Sequence, residues 1–255
     1  MKKYDSSSRV KKTNSTSSID VWGPKGGIGK TTIAKSMAGA FAADGYKVAL
    51  IDKDPMRAAS AFYQVALAKE KARMEEELEM TLSQRRSIYN RKRRAAEAQG
   101  LDFPEFNEEV VRNIHDRVPF VVLDEAPKNG EFDILIYDHP PVFKGNDGLT
   151  SNIVVTPTLL DIESFAPILK AYNEMKDTRK IIMVANRVNL RRADQREIYD
   201  SYFKDRAYIS DRASYNKVYK DGYTIYGTTS YPNVVDTRKE FDDVMQDILS
   251  IAAQG

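Results

Sequence analysis

The segment that most constrains the fold is the glycine-rich stretch Gly-Pro-Lys-Gly-Gly-Ile-Gly-Lys-Thr-Thr at residues 23–32. It follows a short apolar run at residues 19–22 and precedes a helix-like segment at residues 33–43, so it predicts a strand, a turn and a helix in that order. Its glycines carry no Cβ, which lets backbone N–H groups converge on phosphate oxygens at the start of the helix. The segment therefore predicts a phosphate-binding loop in an α/β chain.

Two side chains of this loop have distinct chemistry. Lys30 is placed to reach the β and γ phosphates of a nucleotide, and the Thr31 hydroxyl is a ligand for Mg²⁺. Pro24 stands where the pattern G-x-x-x-x-G-K-[ST] expects its first glycine, and a second lysine, Lys25, lies beside it. The loop is therefore a variant of the usual P-loop.

Carboxylates stand at the ends of two apolar strands. The run at residues 47–51 leads into Asp52 and Asp54, and the run at residues 132–138 ends in Asp138. The carboxyl ends of parallel strands meet at the edge where α/β sheets bind ligands. Asp138 suits a Walker B position, in which a carboxylate holds water in the Mg²⁺ shell.

The rest of the chain alternates between strand-like and helix-like patterns. Further strands are predicted at residues 119–123, 152–156, 180–185 and 207–209, and further helices at residues 160–176, 211–221 and 237–253. Strands that alternate with helices form right-handed βαβ crossovers. We therefore expect an α/β fold with a doubly wound, mostly parallel sheet flanked by helices, as in P-loop NTPases.

A charged helical insertion interrupts this alternation at about residues 64–118. Residues 56–99 are helix-forming with a thin apolar stripe, and residues 106–117 predict another short helix. The basic residues of the insertion are Arg85, Arg86, Arg91, Lys92, Arg93 and Arg94. Two interpretations stay open: a solvated helical hairpin with intrahelical ion pairs, or an arm that binds a partner or nucleic acid. Residues 1–17 are expected to form a disordered tail, and residues 18–255 one domain.

The composition excludes several classes of protein. The chain has no cysteine, which excludes disulfides, thiolate catalysis and cysteine-ligated metal sites and fits a reducing cytoplasm. With 39 basic and 37 acidic residues the net charge is only +2, so affinity for nucleic acid requires a local basic patch. No apolar run reaches the roughly 20 residues of a membrane helix, and residues 1–18 lack the apolar core of a signal peptide.

Three motifs, in this order, resemble those of the ParA/MinD family of deviant Walker ATPases. They are Lys25-Gly26-Gly27-Ile28-Gly29-Lys30-Thr31-Thr32, Asp52-Lys53-Asp54-Pro55 and Asp138-His139-Pro140-Pro141. Val184-Ala185-Asn186-Arg187 is similar to the family's strand that ends in an adenine-recognising asparagine. The chain looks more like the ParA partition branch, which accepts a residue other than glycine at the position of Pro24. Met56 and His139 depart from the residues usual in the family.

The resemblance implies an enzyme that hydrolyses ATP with Mg²⁺. The residues that it implies at the nucleotide are Gly26, Gly27, Ile28, Gly29, Lys30, Thr31, Thr32 and Asn186, and those at the metal are Thr31 and Asp138. For catalysis it implies that Lys25 reaches the phosphates held by the other subunit of a nucleotide-sandwich dimer, while Lys30 keeps the ordinary P-loop role. It further implies that Asp54 orients the attacking water and that Asp52 helps to hold the Mg²⁺ hydration shell.

The resemblance also implies partners and a location. An ATP-dependent homodimer would bind non-specific DNA and be reset when a ParB-like or other cargo adaptor stimulates hydrolysis. The residues implied to contact DNA are Arg212, Lys217 and Lys220. The implied location is the cytoplasm, in association with the nucleoid.

Three alternatives fit the same motifs less well. A MinD-like membrane-associated regulator needs a basic amphipathic C-terminal helix, whereas residues 237–253 carry an acidic polar face that anionic lipid repels, so no membrane partner is expected. A bacterial tyrosine autokinase has a tyrosine-rich C-terminus, but no tyrosine follows Tyr231. A binding module without hydrolysis is disfavoured because Lys30, Asp54 and Asp138 are all present.

Overall fold

A computed structural model describes residues 16–254, except for residues 102, 104, 112, 129, 142–147 and 229. The strands in this part of the chain are β1 (Ser17–Val21), β2 (Val48–Asp52), β3 (Val121–Leu123), β4 (Ile134–Asp138), β5 (Ile153–Thr158), β6 (Lys180–Val188) and β7 (Ile209–Ser210). The helices are α1 (Lys30–Ala43), α2 (Ala58–Glu79), α3 (Leu82–Glu97), α4 (Ile162–Met175), α5 (Ala193–Tyr202), α6 (Ala213–Lys220) and α7 (Val234–Ala253), with a 3₁₀ turn at Ile114–Arg117. Residues 1–15 of the expected tail lie outside the described residues, and β1 begins at Ser17, within the tail's expected range.

The described strands form one parallel sheet in the order β3-β2-β4-β1-β5-β6-β7. The chain builds one half of the sheet from β1 through β2, β3 and β4, and then crosses β1 to build the other half from β5 to β7. Ligands bind at the carboxyl ends of strands where the direction of winding reverses, which here is beside β1. The prediction of a doubly wound parallel sheet is confirmed.

The core lies where helices cover the sheet. Every residue of β2 and β4 is buried, which explains why these strands have continuous apolar runs instead of alternating ones. On one face α1 packs through Ile33 and Met37, and α7 joins the same cluster through Phe241 and Ile248. The apolar side of the C-terminal helix is therefore used inside the domain.

The charged insertion forms a helical hairpin of α2 and α3. The turn between them contains Thr81, whose side chain forms a capping box with Gln84 at the start of α3. The predicted helix at residues 106–117 is wrong, because in its described part only the 3₁₀ turn at the end is helical. Glu108 accounts for the difference: its backbone carbonyl accepts a hydrogen bond from Arg85 and its carboxylate one from Arg86, both at 2.7 Å, which hold this segment against α3.

Ion pairs join the end of the insertion to α2. The Arg117 side chain is only 8% exposed and pairs with Glu77 at 2.9 Å and with Glu70 at 3.4 Å, so the return segment is fastened to α2. Loss of Arg117 would leave Glu77 without its ion pair, whereas Glu70 would keep its pair with Arg73.

The helix α5 was not predicted from the sequence. It has no buried residue, and it contacts the cluster around Phe203 only through partly buried side chains such as Ile198 and Tyr199. Sequence periodicity reports a helix by its buried stripe, and α5 has only partly buried residues in place of one.

Candidate nucleotide site

The loop between β1 and α1 has the backbone conformation that its glycines predict. Gly27 and Gly29 have φ angles of 77° and 98°, in the left-handed region that favours glycine. A Cβ on Gly29 would lie 2.4 Å from Nδ2 of Asn186, so the loop and the end of β6 approach closely there. No side chain caps α1, whose first N–H groups are therefore free to bind an anion.

A cleft of about 410 Å³ opens at this loop. One wall is the loop and the start of α1, another contains Asp54 and Pro141, and a third runs from Asn186 to Arg212 and Tyr215. This volume is within the range of small-molecule sites, which is roughly 300–1,000 Å³. The cleft lies at the carboxyl ends of the central strands, as predicted for a nucleotide.

The two lysines of the loop point to different partners. Lys30 is buried and its Nζ donates to the carbonyl oxygen of Lys25 at 3.2 Å; burial lowers its pKa, while Asp138 and Asp54 oppose that shift. Lys25 Nζ instead donates to the hydroxyl of Ser164 at 2.9 Å, in the first turn of α4. Lys30 lines the cleft and Lys25 does not.

Asp138 is a fully buried carboxylate at the end of β4. Neither of its oxygens has a hydrogen-bond partner of ordinary geometry among the described residues, although the Thr31 hydroxyl lies near enough to favour the ionised form. Burial raises the pKa of Asp138 to about 7, with smaller contributions from the charges of Asp52 and Asp54. A buried, unpaired carboxylate is costly, and a cation would compensate it.

The donor set around Asp138 fits Mg²⁺. The described residues contain no group of three or more histidine, aspartate or glutamate side chains able to hold a metal ion by themselves. Mg²⁺ does not require such a group, because it binds through one or two protein oxygens together with waters and substrate phosphates. Thr31 and Asp138 offer a hydroxyl and a carboxylate at the phosphate-binding loop.

Asp52 and Asp54 lie at the end of β2 but differ in their surroundings. Asp52 is buried, and its Oδ2 accepts hydrogen bonds from the Ser60 backbone at 2.8 Å and from the Ser60 hydroxyl at 2.7 Å, which fasten the start of α2. Its Oδ1 accepts one long bond of 3.3 Å, from the backbone of Asp54. Asp54 lines the cleft, and its Oδ1 accepts from the Met56 backbone at 2.9 Å.

Asn186 is buried at the cleft, where an adenine-recognising residue is expected. Its Nδ2 donates to the Ile28 carbonyl at 2.7 Å, so the amide supports the phosphate-binding loop from below. Of the other predicted loop residues, Gly26, Gly27, Gly29, Thr31 and Thr32 line the cleft, whereas the side chain of Ile28 is buried in a hydrophobic cluster and does not.

The three basic residues expected at DNA do not form one cluster. Arg212 lines the cleft and binds Glu240 of α7 through two nitrogens, at 3.1 and 3.2 Å. Lys217 and Lys220 lie on the exposed side of α6. The structure thus leaves two of the three free to face a partner.

Sequence analysis missed a buried polar clamp beside the site. Asp20 in β1 accepts hydrogen bonds from His139 Nε2 at 2.8 Å and from the backbone nitrogens of Thr150 and Ser151 at 2.9 and 2.7 Å. It therefore joins the residue after Asp138 to the segment that enters β5. The only available signal was an aspartate within an apolar strand.

Lys35 of α1 was also missed. Its Nζ lies 4.3 Å from the ring centroid of Tyr219 and 4.9 Å from that of Phe62, in a nearly buried position. Burial lowers the pKa of Lys35 to about 8, and the charges of Asp138 and Asp52 oppose that shift. The two ring faces and the two carboxylates together compensate this buried charge.

Comparisons with known proteins agree with this geometry. Residues 19–222 match the model of the CobQ/CobB/MinD/ParA nucleotide binding domain. A search of curated protein sequences found no match. None of the helices in the described part of the chain is long and apolar enough to cross a membrane.

Three solved structures have a similar fold. A structure described as a plasmid partition protein of Borrelia burgdorferi bound to AMPPNP is 15% identical, with 92% of this chain and 99% of that chain covered and a TM-score of 0.55. The McdA–ATP complex of Cyanothece is 15% identical, with 92% and 96% covered and a TM-score of 0.51. The septum site-determining protein MinD of Pyrococcus horikoshii, complexed with Mg-ADP, is 14% identical, with 93% and 98% covered and a TM-score of 0.52.

Proposed function

Because the chain belongs to the CobQ/CobB/MinD/ParA family of nucleotide-binding domains, we propose that it is a Mg²⁺-dependent ATPase of the ParA type. The observation that carries this proposal is the pairing of an uncapped α1 N-terminus with the buried, unpaired carboxylate of Asp138. The first attracts phosphate and the second requires a cation, so together they suit a Mg²⁺–nucleotide complex. The AMPPNP, ATP and Mg-ADP bound to proteins of similar fold support this choice of ligand.

Thr31 and Asp138 would hold Mg²⁺, which supplies positive charge to the β and γ phosphates. The N–H groups from Gly26 to Thr32 would bind phosphate oxygens. Lys30 would exchange the carbonyl of Lys25 for phosphate, since a phosphate oxygen is a stronger acceptor for an ammonium group. Asn186 would hold the loop through Ile28 and leave its carbonyl oxygen for the base.

Hydrolysis would depend mainly on positioning. Asp54 lines the cleft and would orient the attacking water. Asp52 would fix the start of α2 through Ser60, while its Oδ1 holds a water of the Mg²⁺ shell. These groups act by orientation and electrostatics because phosphoryl transfer requires little covalent chemistry from the protein.

Lys25 would act in a second subunit. Its Nζ is turned to Ser164 of α4 and does not line its own cleft, which supports a role across a dimer interface. Met56, at the cleft, is 83% exposed, and Ile162, close to Ser164, is 71% exposed. A second subunit would cover these apolar side chains. We therefore propose an ATP-dependent homodimer.

The dimer would bind non-specific DNA and position a cargo such as a plasmid, a chromosome or a protein assembly. Lys217 and Lys220 would contact phosphates, and Arg212, which pairs with Glu240, would act closer to the cleft. A ParB-like or other adaptor would stimulate hydrolysis and reset the cycle in the cytoplasm, on the nucleoid. A MinD-like membrane role receives less support, because the apolar side of α7 is buried in the domain.

The test is nucleotide binding and phosphate release by the full chain. We expect AMPPNP binding and ATP hydrolysis that require Mg²⁺ and are lost in Lys30→Ala, while Asp138→Asn keeps nucleotide affinity better than it keeps hydrolysis. DNA binding that appears only with ATP, and a shift from monomer to dimer on adding AMPPNP with Mg²⁺, would support a dimer whose assembly and DNA binding depend on ATP. Absence of Mg²⁺-dependent AMPPNP binding in the folded wild-type protein would overturn the proposal.

A further inference from the structure

The helix α3 of the insertion carries charge of almost one sign. This helix has six cationic residues and one acidic residue, Glu97, over sixteen positions. Its cations are Arg85, Arg86, Arg91, Lys92, Arg93 and Arg94. At 1.5 Å per residue the helix is about 24 Å long, long enough to follow several phosphates of a nucleic-acid strand.

Three of these cations have structural contacts. Arg85 and Arg86 bind the backbone and side chain of Glu108, both at 2.7 Å, and Arg93 pairs with Glu97 at 3.4 Å. Arg86 also lies over the ring of Phe106, at 5.4 Å from its centroid. The contacts of Arg85 and Arg86 hold the return segment against α3, so the basic helix is presented from a fixed position.

Arg91 and Arg94 have no such contact. Both are exposed, and among the described residues neither takes part in a hydrogen bond or an ion pair. They are three positions apart and therefore share one side of the helix, where like charges repel. The helix dipole stabilises a cation in the last turn, which gives Arg94 a structural role but gives none to Arg91.

The neighbours of these two arginines are small. Ser87 lies one turn before Arg91, Ala95 and Ala98 lie beside and beyond Arg94, and all three are exposed. Small side chains allow a phosphate backbone to approach the guanidinium groups, and the Ser87 hydroxyl adds a donor. This side of α3 has no large apolar side chain to enter a bilayer, so its charge fits nucleic acid better than a membrane.

We propose that the α3 face formed by Ser87, Arg91 and Arg94 binds the phosphate backbone of duplex nucleic acid. The inference rests on the proposed function, to which it adds a second phosphate contact besides α6. Binding at this face is independent of base sequence, because guanidinium–phosphate contacts do not read base edges. It falls steeply with salt, since each neutralised phosphate releases condensed counterions.

The experiment measures the affinity of the full chain for a fluorescent random-sequence DNA duplex at several NaCl concentrations, with and without AMPPNP and Mg²⁺. The test variant is Arg91→Gln/Arg94→Gln. A matched control is Lys170→Gln/Lys176→Gln, which removes the same charge from exposed positions on and just after α4. Lys217→Gln/Lys220→Gln probes the contact on α6 separately.

We expect the α3 variant to bind about tenfold more weakly near physiological salt, with a salt slope smaller by about two, while the α4 variant binds like wild type. Wild-type affinity and slope in the α3 variant would overturn the inference, as would equal losses in the α3 and α4 variants. If the wild type binds phosphatidylglycerol vesicles through these arginines and does not bind the duplex, the ligand of the α3 face is lipid, and the inference is also overturned.

The two proposals fail in different ways. If the wild type hydrolyses ATP and binds the duplex while only the α6 variant loses affinity, the α3 inference fails and the proposed function stands. If the wild type neither binds nor hydrolyses ATP, the proposed function fails, but loss of duplex binding in the α3 variant still supports the phosphate-binding face.

Discussion

The clamp made by Asp20 yields a quantitative prediction for Asp20→Ala. In the structure, Asp20 is completely buried, and its carboxylate accepts hydrogen bonds from two backbone N–H groups, from the His139 imidazole and, at 3.2 Å, from the Thr150 hydroxyl. The alanine variant leaves the two backbone donors and the imidazole without acceptors. Two of these donors, the Ser151 N–H and the His139 imidazole, are buried, and each costs roughly 1–3 kcal/mol when unsatisfied, so we expect the free energy of unfolding to fall by about 4 kcal/mol.

The assay is urea unfolding followed by the fluorescence of Trp22, the only tryptophan in the chain, which is buried immediately after β1. The matched control is Asp133→Ala, just before β4, where the carboxylate accepts one exposed hydrogen bond at 2.8 Å from the Lys47 backbone. The control should lose about 1 kcal/mol or less. A loss in Asp20→Ala no larger than that in Asp133→Ala would refute the argument that this clamp fixes the entry of β5 to the end of β4.

Three other substitutions follow from the structure. Gly29→Ala should reduce nucleotide affinity by at least tenfold in calorimetric titration, because its φ of 98° and the Asn186 amide 2.4 Å from the new Cβ force the loop to move. Lys35→Met should stabilise the protein by about 3 kcal/mol at pH 7, since burial lowers the Lys35 pKa from 10.5 to about 8. Between pH 8 and 10.5, Lys35 is protonated in the unfolded chain but mostly neutral in the folded protein, so the stability of the wild type should rise relative to that of the variant as the pH increases. A stability difference that stays constant with pH would contradict this reasoning. Arg117→Ala should cost about 2 kcal/mol, because it removes the charged hydrogen bond to Glu77 while Arg73 still pairs with Glu70, and a loss below about 0.5 kcal/mol in thermal unfolding would show that Arg117 does not hold the return segment against α2.

Much of the fold can be read from local sequence. The strands β2 and β4 stand out because strands buried on both faces require continuous apolar residues, and the glycines around Lys30 report a backbone that only they adopt easily. The position of Asp138 at a strand end is equally local. These features depend on residues close together in the chain, so sequence patterns report them directly.

Other features depend on residues that are distant in sequence. Asp20 and His139 are 119 residues apart, and the segment around Glu108 lacks the predicted helix because arginines of α3 hold it. Helix α5 has no buried residue to reveal its period. The contact of Asn186 with Ile28, 158 residues earlier, likewise gives an amide a supporting role that no local pattern predicts.

The central claim is that a nucleotide bound by one subunit is completed by Lys25 of another. Subunit mixing tests it most directly, with Lys25→Ala and Asp54→Ala proteins that are each inactive alone. In a mixed dimer, the Lys25→Ala subunit keeps its own Asp54 and receives Lys25 from its partner, which restores one of the two sites.

The measurement is ATP hydrolysis by an equimolar mixture of the two variants, under conditions in which the wild type is active. Random mixing of a symmetric dimer should return about one quarter of wild-type activity, because half of the dimers are mixed and each has one complete site. If Lys25 acts within its own subunit, every site in the mixture lacks either the lysine or the aspartate. Activity no greater than that of the separate variants would then contradict the account.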